Sequence, residues 1–287
     1  MAQQPDYFSN QVTDARRWFL ALPKPKDKGL ITVSVGCERC EPDYIVRRST
    51  FEFEAIEFVA QGEGTLFLNG TRHTLQPGSV FSYRQDVPHR IENTGRSPML
   101  KYFLDCGGQL AREKFDESTV GGGRIIQIGS VAELVELFEL LITNAMSETD
   151  YSGSICSALV ETLLLKISEK TIHGGAANTR AWATYERIRR HIQENFIRLR
   201  TMTEVSEEIG IDPAYLSRVF RRFHHSSPYK FLIRLKMSHA AALLLSPDSL
   251  VKDVAAELQF EDPFHFSRSF KSVYGISPEQ FTRRQQP

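Results

Sequence analysis

The sequence is poor in cysteine, has no long apolar run and carries no excess charge of either sign. Four cysteines among 287 residues are too few for a disulfide framework. No stretch reaches the roughly 18 consecutive apolar residues of a membrane-spanning helix, and residues 1–10 lack the basic and apolar regions of a signal peptide. We therefore expect a cytoplasmic protein without a membrane partner.

Metal chemistry has little support in the cysteine pattern. Cys37 and Cys40 form a C-x-x-C pair, but a zinc site needs two further thiolate or imidazole ligands at comparable spacing, and none follows nearby. We expect reduced, structural cysteines, no metal and no cofactor. Redox or metal chemistry at this pair is the alternative.

The formal net charge is +0, from 35 Lys and Arg against 35 Asp and Glu, which at first argues against a nucleic-acid-binding protein. The average hides an asymmetry, because residues 1–179 hold 18 basic and 23 acidic side chains whereas residues 180–287 hold 17 and 12. The division falls at residues 173–179, whose small and polar side chains are typical of a flexible linker. The sequence therefore predicts two domains of opposite charge.

The predicted boundaries follow from this division and from the proline content of the first residues. Pro5, Pro23 and Pro25, among scattered charges, interrupt any regular period near the start of the chain. We expect an irregular arm over residues 1–29, an acidic domain over 30–172, a linker over 173–180 and a basic domain over 181–287.

Short β-rich segments occupy residues 30–104 and are separated by turn signals. The strongest signal is Asn69-Gly70, because a tight hairpin turn needs two residues that tolerate positive φ. Many short strands with no helix between them predict an antiparallel sandwich or barrel.

Two amphipathic helices are predicted after residue 130. Apolar residues recur at intervals of three and four over residues 131–145 and again over 155–167. One face of each helix is expected to pack on the strands, and surplus leucines would suit a helix-to-helix seam in a homodimer. These leucines are Leu137, Leu140, Leu141, Leu164 and Leu165. The alternative is that both helices only cover the core of their own domain.

The last hundred residues contain a repeat at an offset of 50 positions without a gap. Asp212-Pro213 recurs as Asp262-Pro263, Ser217-Arg218 as Ser267-Arg268, Phe220 as Phe270, Ser227-Pro228 as Ser277-Pro278, and Phe231 as Phe281. Agreement of this kind indicates two copies of one structural unit.

Each copy is predicted to be a helix, a tight turn and a second helix. In the first copy, Thr201 and Glu204 form a capping box, and Gly210 ends the helix because it tolerates a left-handed conformation. Asp212 then caps a second helix whose first position is Pro213. We expect Val273 to be buried with Phe266 and Phe270 in the second copy, and a helix over residues 229–245 to hold the two copies apart.

The second helix of each copy leaves serine and basic side chains towards solvent, which is the composition that enters a DNA major groove. Arg and Lys there would contact phosphates or guanine edges. Solvated surface is the alternative for any one of these side chains. The candidate DNA-binding residues are Ala214, Ser217, Arg218, Arg221, Arg222, Phe264, His265, Ser267, Arg268 and Lys271.

On these residues the chain resembles a known family. Residues 182–284 are similar to the double helix-turn-helix domain of the AraC/XylS transcriptional regulators, through Leu216 to Phe220, Phe260 to Lys271, Tyr274-Gly275 and Ser277-Pro278. The resemblance implies seven helices, with recognition helices near 213–223 and 263–274 entering successive major grooves on one DNA face. The sequence departs from the family pattern at Gln259, where Gly is usual, and at residues 224–226, so we expect local changes in the turns.

Residues 54–93 are more loosely similar to the cupin-like sensor domains that accompany this DNA-binding unit. Metal-dependent cupins need converging imidazole and carboxylate ligands. Here only His89 matches, because Arg48, Thr50 and Ala55 stand at the other ligand positions. The resemblance favours a sugar or related metabolite as effector, bound in the mouth of a barrel without metal.

The candidate ligand-binding residues are polar or aromatic side chains that could point into such a barrel. They are Arg47, Arg48, Glu57, Tyr83, His89 and Tyr102, with Trp18 in the arm. Trp18, with Phe19, is expected to close over a bound ligand by stacking. For each of the barrel residues, an exposed strand position or a satisfied core group is the alternative.

The sequence as a whole predicts an α+β protein of two domains. An N-terminal antiparallel β-barrel of cupin type with two following helices precedes a C-terminal all-α double helix-turn-helix domain. We expect a sequence-specific transcriptional regulator that responds to a small molecule, forms a homodimer, and has double-stranded DNA and RNA polymerase as partners. The alternatives are a cupin-type enzyme with a DNA-binding appendage and a constitutive DNA-binding protein with a structural barrel.

Overall fold

The computed structural model describes residue 9 and residues 11–24, 27–172, 175–224, 226–246 and 249–283, with the backbone alone for 175–179. The chain divides into two compact units, residues 1–173 and 174–287. No helix among the described residues is long and apolar enough to cross a membrane.

The first unit contains two antiparallel sheets. Its strands are β1 (Val12–Phe19), β2 (Ile31–Cys40), β3 (Ile45–Arg48), β4 (Glu54–Gln61), β5 (Gly64–Leu68), β6 (Thr71–Leu75), β7 (Ser79–Tyr83), β8 (His89–Asn93), β9 (Met99–Gly107) and β10 (Ile125–Gln127). One sheet has the order β1-β2-β9-β4-β7-β10 and the other has the order β3-β8-β5-β6. The pairings between these strands are antiparallel, which confirms the predicted fold class.

The Asn69-Gly70 turn joins β5 and β6 as the sequence predicts. Both residues have positive φ, at 50° for Asn69 and 78° for Gly70. The strands on either side pair in register from Leu68 with Thr71 to Gly64 with Leu75. A turn whose two central residues accept positive φ therefore sets the register of this hairpin.

The central strands of the six-stranded sheet are buried on both faces. On β4, Ile56 and Phe58 lie in an apolar cluster with the helices that follow the strands, whereas Ala55 and Val59 lie in a second cluster between the two sheets. Successive side chains of a strand point to opposite faces. Each central strand of this sheet therefore supplies side chains to both clusters.

Three helices cover the outer face of this sheet: α1 (Gln109–Glu117), α2 (Val131–Met146) and α3 (Ser152–Lys170). The two helices predicted after residue 130 are therefore confirmed. The surplus leucines do not all remain on the surface, because Leu141 and Leu164 are buried and Leu137 packs against the same apolar cluster. Leu140 and Leu165 are 48% and 72% exposed.

The expectation of an irregular arm over residues 1–29 is wrong for residues 12–19, which form β1. Arg16 donates two hydrogen bonds to the Glu139 carboxylate of α2, at 2.9 and 2.6 Å. Arg17 makes an ion pair of 2.7 Å with Glu38 of β2, on the opposite face of the sheet. Consecutive arginines with partners on the two faces are the pattern of a strand, and these partners lie far away in the sequence.

The second unit is helical. In its described part, seven helices follow one another: α4 (Gly175–Asn195), α5 (Met202–Ile209), α6 (Pro213–His224), α7 (Pro228–Leu243), α8 (Val251–Glu257), α9 (Pro263–Tyr274) and α10 (Pro278–Arg283). This agrees with the seven helices that the resemblance implies. The flexible linker expected over residues 173–180 is corrected, because α4 begins at Gly175.

The local signals of the first helix-turn-helix copy are confirmed. Thr201 and Glu204 form the predicted capping box at the start of α5. Gly210 ends that helix in the left-handed conformation, with φ of 67°. These two ends fix the length of α5 and the path into the turn before α6.

The helices around both departures from the family pattern are preserved, and the expected change in the turn is not seen at Gln259. Gln259 adopts φ of 57°, which is the conformation that favours glycine at the end of a helix. His225 lies outside the described residues, and α6 ends at His224. The prediction that Val273 is buried is wrong, since it is 39% exposed on α9.

The space between the two sheets contains ionised groups as well as apolar side chains. Lys101 of β9 makes ion pairs with Glu38 at 2.7 Å and with Glu57 at 3.0 Å. Tyr83 donates a hydrogen bond of 2.7 Å to Glu57, and Arg48 donates one of 3.2 Å to the Tyr83 hydroxyl. Together with the Arg17–Glu38 pair, these contacts form a continuous polar chain from β3 to β1, which we call the polar core.

Burial and mutual charge shift the pKa values in the polar core. Although burial acts in the opposite direction, Glu38 and Glu57 hold the pKa of Lys101 well above its usual value. Burial would raise the pKa of Glu38, but Lys101 and Arg17 hold it below the usual range. For Asp105, to which Ser34 donates a hydrogen bond, burial raises the pKa to about 7.

Replacing Asp105 with asparagine is predicted to raise the free energy of unfolding at about pH 8 by about 1–4 kcal/mol, since one unit of pKa is worth about 1.4 kcal/mol. The folded-state pKa of about 7 lies above the ordinary value of 3.8, so the folded state binds more protons between these values. Stability therefore falls as the pH rises from about 4 to about 7. The Asp105→Asn variant is expected to lose this dependence.

The measurement is chemical unfolding at about pH 5 and about pH 8, monitored by the fluorescence of Trp18. Because the chain has 2 tryptophans, the measurement is made in a Trp182→Phe background. Asp150→Asn, at an exposed loop position, is the matched control and should change neither value. Lower stability of Asp105→Asn at the higher pH would contradict the prediction, because it would mean that Arg48 and Lys101 stabilise an ionised Asp105.

Candidate nucleic-acid interface and ligand groove

Helices α6 and α9 begin in the same way. The Asp212 carboxylate accepts a hydrogen bond from the Tyr215 backbone N–H at 2.8 Å. The Asp262 carboxylate accepts from the backbone N–H groups of Phe264 and His265, at 2.8 and 3.1 Å. Proline follows each aspartate, at a position where no N–H is needed. The repeated sequence therefore forms the same helix start twice.

The apolar side of each helix is buried, and this fixes which side faces solvent. Leu216, Val219 and Phe220 of α6 are buried, as are Phe266 and Phe270 of α9. Of the predicted DNA-binding residues, Ser217 and Ser267 are half-buried and the others are exposed. The exposed ones are Ala214, Arg218, Arg221, Arg222, Phe264, His265, Arg268 and Lys271.

Several basic side chains on these faces are available for a ligand. Among the described residues, no carboxylate forms an ion pair with Arg218, Arg221 or Lys271. Arg268 approaches Asp262 at 3.5 Å, and its side chain is 74% exposed. Unneutralised cations on a solvent-exposed helix face suit contacts to phosphates and base edges.

Tyr215 is a residue of this interface that sequence reasoning missed. Its ring centroid lies 5.3 Å from the Arg218 guanidinium, a distance typical of a cation–π contact. The contact restricts the directions that Arg218 can take. The repeat offers the signal for it, because Tyr215 stands where His265 stands in the second copy.

Lys236 of α7 ties other helices of the second unit together, and no pattern in the sequence indicates this role. It is buried, and its Nζ donates to the carbonyls of Leu258 at 2.6 Å and Ile197 at 3.4 Å. Burial lowers the pKa of Lys236 to about 8. Leu258 follows α8 directly and precedes Gln259, so Lys236 holds the turn that leads to α9.

In the first unit, three predicted ligand-binding residues come together at the surface. Arg47, Arg48 and His89 line a groove of about 630 Å³, within the range of small-molecule sites. The groove is completed by Ser49, Phe67, Gly70, Pro88 and Arg90. Phe67 and Arg90 are further residues that sequence reasoning missed.

Two other predicted residues, Glu57 and Tyr83, belong to the polar core behind this groove. Arg48 connects the two places, because it lines the groove and also a small internal space bounded by Glu57, Tyr83 and Lys101. That space measures about 10 Å³, which is room for one water molecule at most. The groove is large enough for a metabolite, whereas this one space, as the described residues bound it, is not.

Tyr102 and Trp18 do not join this site. Tyr102 packs with the helices and donates a hydrogen bond of 2.7 Å to Glu139 of α2. Trp18 packs against the same apolar cluster. Both expectations are corrected by strand alternation, because β9 and β1 direct these even-numbered residues away from the space between the sheets.

His89 lies beside Arg48 at the inner side of the groove. Its ring stacks on Tyr83 with centroids 3.7 Å apart. Burial lowers the pKa of His89, so the ring is neutral at neutral pH. Its Nδ1 lies 3.0 Å from the Val87 carbonyl, which assigns the proton to Nδ1 and leaves Nε2 as an acceptor for Arg48.

The cysteine pair is split by strand geometry. Cys37 lies in the cluster with the helices and Cys40 in the cluster between the sheets, since residues three apart on a strand point to opposite faces. The two thiols therefore cannot share one metal ion. Among the described residues, no group of three or more His, Cys, Asp or Glu side chains could hold a metal.

Known proteins resemble both units of the chain. The model of the AraC-like ligand binding domain matches residues 32–168, and that of a helix-turn-helix domain matches residues 205–284. The lactose operon transcription activator of Staphylococcus xylosus is 19% identical over 253 residues, which cover 86% of this chain and 89% of that protein. The raffinose operon transcriptional regulatory protein RafR of Pediococcus pentosaceus is 25% identical over 264 residues, covering 86% and 91%.

Among solved structures, the C-terminal domain of AraT, a response regulator from Geobacillus stearothermophilus, is 32% identical. The match covers 35% of this chain and 84% of the AraT domain, with a TM-score of 0.33. The family assignment rests on the two family models, which match the strand-rich unit and the helical unit separately. The chain belongs to the AraC family of transcriptional regulators, and it is a DNA-binding regulator with a ligand-binding domain and not an enzyme.

Proposed function

We propose that this regulator binds DNA through α6 and α9, each in a major groove, with α7 between the two helix-turn-helix units. The observation that carries the proposal is the exposed cationic face on both helices at matching positions of the repeat. Arg218 and Arg268 are the matching pair, and Arg221 matches Lys271. A short helix with serine and arginine near its start is suited to reading base edges.

The change of Arg218 or Arg268 to alanine is expected to weaken DNA binding by about 1–3 kcal/mol each, roughly 5- to 150-fold. Each substitution removes an exposed guanidinium that would contact a phosphate or a base. The affinity is measured with the full chain on a duplex selected from random-sequence DNA, at fixed salt concentration because phosphate contacts are salt-dependent.

Arg190→Ala is the matched control, since this arginine is exposed on α4, outside the two recognition helices. It should leave the affinity within about twofold of the wild type. Unchanged affinity in both Arg218→Ala and Arg268→Ala would reject the docking of α6 and α9.

We also propose that α3 forms a homodimer seam with a second copy of the chain. Tyr151, Ile155 and Leu165 are exposed by 73%, 40% and 72%. With Ala158 and Thr162 they follow intervals of four and three residues, which is the spacing of a two-helix seam. One face of α3 already packs on the sheet, so this stripe lies on the opposite, exposed face and is free to contact a second chain.

Leu165→Asp is predicted to weaken dimerisation at least about tenfold, because it introduces a charge at the most exposed leucine of the apolar stripe. Sedimentation velocity over a concentration series measures the change. Leu22→Asp, at another exposed leucine (62%), is the matched control and should leave association unaltered. A wild-type chain that stays monomeric throughout, or a Leu165→Asp chain that associates like the wild type, would contradict the seam.

The effector is proposed to be a sugar or a sugar derivative that binds in the groove. Support comes from relatives named for the lactose and raffinose operons, and from the groove volume. Contact with RNA polymerase stays a prediction of the resemblance. A ligand acts on transcription only if it favours one state of the protein over another, and the polar core offers a path, since it leads from Arg48 at the groove to Arg17 on β1.

The effector proposal predicts that a member of a panel of sugars and sugar derivatives, lactose and raffinose included, changes the affinity of the full chain for its selected DNA site. A coupling of 1–3 kcal/mol, about 5- to 150-fold, is typical of allosteric proteins. The same panel is applied to Arg48→Gln, in which the response should shrink. If no compound of the panel alters DNA affinity, the proposal of a sugar effector is rejected.

A further inference from the structure

We propose that the groove recognises an anionic group, a carboxylate or a phosphate ester, on the molecule it binds. The inference rests on the proposed function to the extent that it takes the groove as the effector site, and it specifies the chemistry of that effector. Three arginines, Arg47, Arg48 and Arg90, line the groove, and no carboxylate does so among the described residues. This excess of positive charge belongs to the half of the chain in which acidic residues outnumber basic ones, 23 to 18.

Arg47 and Arg90 stand directly opposite each other on paired strands β3 and β8. Like charges at facing positions of an antiparallel pair repel each other. Arg47 is exposed, and among the described residues no carboxylate pairs with it. An anion bound between these two side chains would neutralise the repulsion that the pairing creates.

Arg90 is held in position before any ligand arrives. Its guanidinium lies 4.0 Å from the centroid of the Phe67 ring, and its Nε lies 3.0 Å from the Glu92 carboxylate. Fixing a guanidinium in advance lowers the entropic cost of binding an anion to it. Glu92 pairs with Arg90 but does not line the groove, so the described lining carries cations and no carboxylate.

Arg48 forms the side of the groove that faces the polar core. It donates to Tyr83 at 3.2 Å and approaches Nε2 of the neutral His89 at 3.4 Å. Because His89 presents an acceptor towards Arg48, the imidazole contributes no charge to anion binding. Recognition therefore depends on the arginines, whose planar guanidinium matches the oxygens of a carboxylate or a phosphate.

The rest of the groove suits the carbon skeleton of a small metabolite. Phe67 and Pro88 provide apolar surface, and Ser49 adds a hydroxyl near Arg48 in the sequence. A volume of about 630 Å³ holds a sugar acid or a sugar phosphate. A neutral sugar would leave Arg47 without an anionic partner among the described residues.

The test is isothermal titration of the full chain with inorganic phosphate, glucose 6-phosphate, gluconate and glucose. The phosphate and carboxylate probes separate the two anion chemistries, and glucose is the neutral comparison. At least one charged probe is expected to bind, and glucose to bind at least about tenfold more weakly or not measurably. Arg47→Gln should weaken the charged probe about tenfold or more for the same reason.

Arg72→Gln is the matched control. Arg72 is exposed and faces Phe67 from β6, so it lies near the groove without lining it, and its loss should change affinity by less than about twofold. Arg90→Gln provides a second groove variant, and thermal unfolding of each variant confirms that the domain remains folded. Equal loss in Arg72→Gln and Arg47→Gln would overturn the proposal, because it would indicate a general charge effect.

The proposal is also overturned if no charged probe binds, or if glucose binds as tightly as the charged probes. DNA is a further anion, and a loss of DNA affinity in Arg47→Gln without any probe would assign the groove to DNA and reject the metabolite site. The DNA measurements on Arg218 and Arg268 variants test the proposed function separately, since those residues belong to the other unit.

Discussion

Burial of the central strands of the six-stranded sheet on both faces is the constraint on which the first unit depends. Each of these strands must direct alternate side chains into two different interiors, one shared with the helices and one enclosed between the sheets. On β9 this sends Tyr102 towards α2, while Lys101 and Asp105 turn inward to the polar core. The chemistry of the inner space is therefore decided by parity along the strand and not by the type of residue alone.

The same constraint separates what the sequence predicts from what it does not. Signals that act within a few residues are sufficient for the Asn69-Gly70 turn, the Thr201 capping box, the Gly210 helix end and the two Asp-Pro starts. The strand β1 is missed because Arg16 and Arg17 find their partners on α2 and β2, far along the chain. Tyr102 is assigned to the wrong face because composition does not show which residues of a strand point inward, and Trp18 is misplaced because its strand is taken for an irregular arm.

In the second unit more of the structure can be predicted from the sequence, because the helical period identifies both the buried and the exposed face of each helix. The apolar stripe with Leu216 and Phe220 fixes where Arg218 must point, and the repeat supplies the same answer a second time through Phe266, Phe270 and Arg268. The role of Lys236 cannot be predicted from the helical period. Its partners are carbonyl groups of Ile197 and Leu258, and backbone acceptors leave no trace in the side-chain pattern.

The polar core connects the proposed ligand groove to the interior of the first unit. Arg48 donates a hydrogen bond to the Tyr83 hydroxyl, which in turn donates to Glu57. From Glu57, ion pairs lead through Lys101 and Glu38 to Arg17. An internal space of about 10 Å³ leaves room for at most one water molecule to replace a lost partner. If a ligand drew the Arg48 guanidinium towards itself, Tyr83 would lose this hydrogen-bond donor and the buried charges would rearrange. The last pair in the chain, Glu38 with Arg17, holds the strand β1.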